Sequence, residues 1–78
     1  MNESMIMIQD HTLGIAVFTP TRELGMLRYS LVLTDYGKWG LITDELDHWL
    51  VGFEAYRTGM LVMWSDPEFF TMFKLRWG

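Results

Sequence analysis

Two histidines and ten carboxylates are the side chains in this 78-residue sequence with the means for acid–base or metal chemistry. Their spacing decides what they can do. His48 follows Asp44 by four residues in a stretch that reads as helix, so the two lie one turn apart, as in an ordinary helical ion pair when the imidazole is protonated. A zinc site needs three or four ligands at tight spacing, and neither His48 nor His11 beside Asp10 has them. A serine triad would need Ser4, Ser30 or Ser65 to meet a histidine and an orienting acid, and no strained elbow is marked around any of them. Asp44, Glu45 and Asp47 could present oxygens to a divalent cation. The positive end of a helix dipole attracts the same acids without any ion. The glycines never form a dinucleotide fingerprint or a phosphate-cradling loop. The sequence contains no cysteine, which excludes thiolate metal sites and cysteine nucleophiles. The expectation is a protein without metal, cofactor or enzymatic activity.

Binding chemistry is better supplied. Half of the residues are hydrophobic and 15% are aromatic, against 21% charged, which is a large apolar load for so short a chain. Such a surplus predicts an exposed patch of rings and methionines, the usual mark of a partner surface or oligomer interface. Aromatic anchors flanked by acids would suit a basic, nucleic-acid-handling protein, and Tyr36, Trp39 and Trp77 with Asp44, Glu45 and Asp47 are the contact residues expected. A second reading spends the same surplus on a symmetric homo-oligomer. A third uses Arg28, Lys38, Lys74 and Arg76 against phosphates, with neighbouring rings stacking on single-stranded bases. The net charge of −4 opposes it, because such affinity comes mainly from displaced counterions.

These side chains must be carried by an α+β domain spanning residues 1–78, an antiparallel β-sheet of about four to six short strands with one main amphipathic helix packed on it. The helix is expected over about 44–58. Thr43 can cap it, Asp44, Glu45 and Asp47 favour its start, and Leu46, Trp49, Leu50, Phe53 and Tyr56 line one face. Arg57 suits its last turn, Gly59 its end, and Gly52 close packing on the sheet. Met5 to Gln9 and Ile15 to Thr19 read as a hairpin, with Pro20 ending the second strand. Leu27 to Thr34 alternates between a core face and a wet one. Asp35 to Lys38 reads as a turn with Gly37 at positive φ, returning as a strand over Trp39 to Ile42. Met60 to Trp64 reads as a buried strand. Asp66 and Pro67 then start a short helical turn to about Thr71, with a hairpin turn as the alternative. Met72 to Trp77 alternates as a final strand with a basic outer edge, which would protect that edge from further pairing.

A chain of this length hides only about 60% of its unfolded surface, so self-association would help it. The opening MNESMIMIQDH lacks the basic stretch of a secretory signal, and no apolar run approaches the ~20 residues of a membrane span. The ending Ser65 to Gly78, SDPEFFTMFKLRWG, resembles endings that recur in small proteins encoded by tailed bacteriophages: an acidic turn, then an F-K-L-R-aromatic run. The resemblance carries no catalytic residue. It implies a small phage protein made in the cytoplasm of a bacterial host, where it would bind and block a defence or host protein.

Overall fold

The computed structural model describes residues 7–78. Among them, strands β1 (Met7–Asp10), β2 (Ile15–Glu23), β3 (Met26–Leu33), β4 (Tyr56–Thr58) and β5 (Leu61–Trp64) form one antiparallel sheet in the order β1-β2-β3-β5-β4. Helices α1 (Tyr36–Trp39), α2 (Thr43–Val51) and α3 (Phe69–Trp77) cover one face.

Register explains which face is covered. Directly opposed residues share a side, so the pairs Ile15↔Leu33, Val17↔Leu31, Leu31↔Val62 and Tyr29↔Trp64 build a continuous apolar surface. Leu31, Leu33, Val62 and Trp64 are buried there beneath Trp39, Leu46, Leu50, Phe69 and Phe73. The alternation expected along β3 is therefore present. Its other side is less wet than anticipated, since Val32, Leu61, Met63 and Phe18 are all half-buried.

The first hairpin forms where expected, from Met7 onward; Met5 and Ile6 lie outside the described residues. Its turn closes when Gly14, at φ +70°, donates to the Asp10 carbonyl at 2.9 Å and the Asp10 carboxylate accepts from Leu13 N at 3.1 Å. Pro20 does not end β2. The strand continues to Glu23, and the register slips between Phe18 and Thr21, where β2 carries one residue more than β3. A bulge is a place where a strand tolerates proline, because the lost donor falls outside the ladder. Beyond it, β2 and β3 run on as a two-stranded arm that turns on Leu24 and Gly25 at φ 54° and 80°. Both central residues are left-handed, as type I′ turns require. For leucine that conformation costs roughly 1–2 kcal/mol.

Three segments depart from the sequence expectation. Asp35 to Ile42 forms no turn and strand: the Asp35 carboxylate accepts from Lys38 N at 3.1 Å and starts the single turn of α1, and Gly37 needs no positive φ. The main helix stops at Val51 instead of about 58, and it begins at Thr43 without a side-chain cap. Ala55 N donates back to the Leu50 carbonyl at 3.1 Å, with Glu54 at φ 56°, so Tyr56 to Thr58 can join the sheet beside β5. Ladder bonds to β5 and the Arg57–Asp47 pair described below outweigh a further helical turn.

The third departure is the C-terminal segment, where Met72 to Trp77 is helix. The preference for a helical start after Asp66 agrees with the structure, although the helix extends to Trp77 and its cap position is Glu68. Phe69 and Phe73 are fully buried and Trp77 follows at the same spacing of four, so the buried period is helical. Leu75, which a strand would have placed beside Phe73 and Trp77, is 75% exposed.

Candidate functional site

The expected contact residues are dispersed by the fold. Tyr36, on α1, is 64% exposed and available. Trp39, one turn on, is completely buried and leaves the set: its indole Nε1 donates to the Leu13 and Gly14 carbonyls at 3.0 and 3.1 Å, and its ring stacks on Phe73. A ring held inside by packing and two acceptors is core, not an anchor for a partner. Trp77 is half-buried, edge-on to Trp39 and Trp49 at 5.8 and 6.0 Å, with the Arg76 guanidinium 4.1 Å from its ring centroid. It closes the core more than it offers a surface.

Two of the three acids are already engaged. Asp47 accepts from Arg57 Nε and Nη2, both at 2.7 Å, while Arg57 Nη1 donates to the Gly59 carbonyl at 2.6 Å. This two-pronged pair ties α2 to β4 and holds the chain where it leaves the helix. Glu45 accepts from Arg76 Nη2 at 2.6 Å, which joins the start of α2 to the end of α3. Asp44 is exposed and forms no ion pair with another described residue; its charge reaches Arg57 through space. No ion pair forms between Asp44 and His48, and His48 is exposed.

The Arg57 guanidinium, by its hydrogen bonds first and its charge second, holds the Asp47 carboxyl below the usual carboxylate range, with partial burial opposing it. Because the folded value is lowered, the pair's contribution is fully present above the ordinary carboxylate pKa of about 4 and is lost as the pH falls through the lower folded value. In urea titrations from neutral pH down to about pH 2, Asp47→Asn is expected to lower the midpoint at neutral pH and to flatten the acid limb. An unchanged acid limb would show that other carboxylates carry it.

The four cations considered for nucleic acid do not make one track. Arg28, on β3, donates to the Tyr56 hydroxyl at 3.3 Å and lies 3.6 Å from Glu23; Lys38, on α1, donates to the Leu13 carbonyl at 3.4 Å. Lys74 lies 5.0 Å from the Phe70 ring centroid, and Arg76 is paired with Glu45. The expected basic strand edge does not exist, because Lys74 and Arg76 sit in the last turn of α3, where the helix dipole favours them. Among the described residues, no three His, Asp or Glu side chains converge as metal ligands, and no helix is long and apolar enough to cross a membrane.

The fold instead exposes apolar side chains that sequence reasoning passed over. On the outside of the helix layer, α3 presents Met72 and Leu75 one turn apart, and α2 ends on Val51, 74% exposed, in line with Asp44 and His48. Leu41 stands out between α1 and α2. At the far end, Leu24 at the tip of the β2–β3 arm is 97% exposed, with Met26 and Leu27 beside it. A helical reading of α3 would have found Leu75, since it falls opposite Phe69 and Phe73. Leu24 had only one signal, a following glycine between two strands. Searches of the chain against protein-family models, curated proteins and solved structures find no match.

Proposed function

We propose that this chain is a non-enzymatic protein-binding module whose contact surface is the outside of the helix layer, and that it acts as an inhibitor of a bacterial defence or nucleic-acid-handling protein. One observation carries the binding reading: Leu75 and Val51 stand exposed on short helices whose other sides are filled with core. Outward apolar side chains gain nothing for the fold and are worth ~1.5–3 kcal/mol each when a partner covers them. The exposed carboxylate of Asp44 lies in line with Val51 on the same helix and suits a basic target, whereas Glu45 is already paired with Arg76. The inhibitor class rests on the phage-like ending and on that acidic margin.

The test is capture of partners from bacterial lysates, strains with defence systems included, by the tagged chain and by the double variant Val51→Glu, Leu75→Glu. A stoichiometric protein that survives nuclease treatment is expected with the wild type and should be lost with the variant, which keeps its fold because both positions are exposed. Capture that disappears with nuclease would favour nucleic acid instead. Equal capture by both forms would move the surface elsewhere.

A further inference from the structure

Among the described residues, two that are not glycine hold a left-handed backbone, Leu24 at φ 54° and Glu54 at φ 56°. They stand at one place on the molecule. Glu54 helps to wall a cleft of about 320 Å³ whose other lining residues are Met26, Gly52, Phe53, Ser65 and Asp66. Met26 opens β3 two residues after Leu24, with only Gly25 between them. A protruding leucine and a recess with a phenylalanine in its wall are therefore neighbours, yet the leucine does not fold back into the recess, since it is 97% exposed.

The charges beside them are complementary. The Arg22 side chain, in the arm, makes no ion pair or hydrogen bond with another described residue, and the cleft carries the carboxylates of Glu54 and Asp66. The guanidinium of Arg22 stands beside the exposed Leu24, and the intervening acid, Glu23, lies 3.6 Å from Arg28. Arg22 and Leu24 fit a recess that offers an apolar wall to the leucine and carboxylates to the guanidinium, and the mixed lining of the cleft, with Met26 and Phe53 beside Glu54, Ser65 and Asp66, supplies both. A two-fold axis pairs a knob with a hole only when both lie on one patch, because the same patch must serve both partners. That condition is met here.

We infer that the chain forms a symmetric dimer in which the β2–β3 tip of each copy enters the Phe53 cleft of the other, with Leu24 against Phe53 and Met26 and with Arg22 facing Glu54 and Asp66. The occupant of the cleft is a second copy of this chain. The reading goes beyond the partner surface on α2 and α3, because it uses neither Leu75 nor Met72 and leaves both outside.

Sedimentation velocity across a dilution series tests it, with Leu24→Asn as the first variant. Asparagine followed by Gly25 is a preferred pair for this turn, so the variant should unfold in urea at or above the wild-type midpoint. Its dimer should be roughly 100-fold weaker or more, since a leucine is lost at both symmetric contacts. Opposite signs for folding and association separate an interface role from a structural one. Glu54→Lys is expected to weaken the dimer at low salt, and adding Arg22→Glu to it should restore association. A wild type that stays monomeric at every concentration overturns the dimer, and it leaves the binding module standing if a lysate protein is still captured. A wild-type dimer unaffected by Leu24→Asn, or a charge reversal that the second substitution fails to rescue, overturns it as well.

Discussion

Trp39→Ala is expected to remove most of the stability of this domain. At roughly 0.05–0.15 kcal/mol per residue, a chain of this length holds about 4–12 kcal/mol in total. Emptying a fully buried tryptophan site costs about 3–5 kcal/mol, because the cavity is only partly closed by relaxation. The Trp39 ring also supports Phe73 and Trp77, so its loss loosens α3 as well as α1. Its Nε1 donates to two carbonyls in the first turn and so pins that loop, whereas the buried Nε1 atoms of Trp64 and Trp77 have no acceptor among the described residues. Urea unfolding followed by circular dichroism should show the midpoint lowered by roughly 2–4 M, or no cooperative transition at all. Trp39→Phe, which keeps a ring and loses the donor, should fall between. A wild-type midpoint for Trp39→Ala would mean that the ring is not part of the core.

The second large effect is expected at Gly14. A Cβ there would lie 2.5 Å from the Asp35 Cβ, inside the closest approach of two carbons, and the backbone is left-handed besides. The residue is also a junction: its carbonyl accepts from Thr34 N at 2.8 Å, from Asp35 N at 3.1 Å and from Trp39 Nε1 at 3.1 Å. Moving Asp35 to relieve the clash disturbs the carboxylate that starts α1 and the seat of Trp39. Gly59 supplies the comparison, since its φ is +62° and a Cβ there would meet nothing within 4 Å. Gly59→Ala should therefore cost only the left-handed penalty, about 1 kcal/mol. Gly14→Ala should cost that and about 1–2 kcal/mol more for the displaced cap, or roughly 2–3 kcal/mol in all. Equal urea midpoints for the two variants would show that Asp35 yields without loss.

Both positions bear on how much of the site could be read beforehand. Trp39 was legible as an important aromatic, but its direction was not, because a segment read as a strand offers both faces and α1 offers only the one that points at Phe73 and Trp77. Gly14 was legible as a turn residue, and its contact with Asp35, twenty-one positions along the chain, was not. The acids of α2 were legible as helix-start residues. That Asp47 would hold Arg57 and Glu45 would hold Arg76 depended on where β4 and the end of α3 come to lie.

By itself, the sequence determined the properties that repeat within a few residues. Alternation along β3 placed Leu31 and Leu33 inward, the acids and the apolar spacing of Leu46 and Leu50 marked α2, and together with the strand runs these set an antiparallel α+β class. Tertiary structure alone decided which period won where two fitted. Phe73, Leu75 and Trp77 alternate like a strand, while Phe69, Phe73 and Trp77 recur like a helix, and the helix prevailed because its face meets Trp39, Trp49 and Trp64. Likewise Tyr56 continued the stripe of α2 on paper but left it for the sheet, where it pairs with Met63 of β5 and its neighbour Arg57 reaches Asp47, contacts that a longer helix could not supply. Local pattern states which side chains need cover; the elements that supply it come from distant parts of the chain.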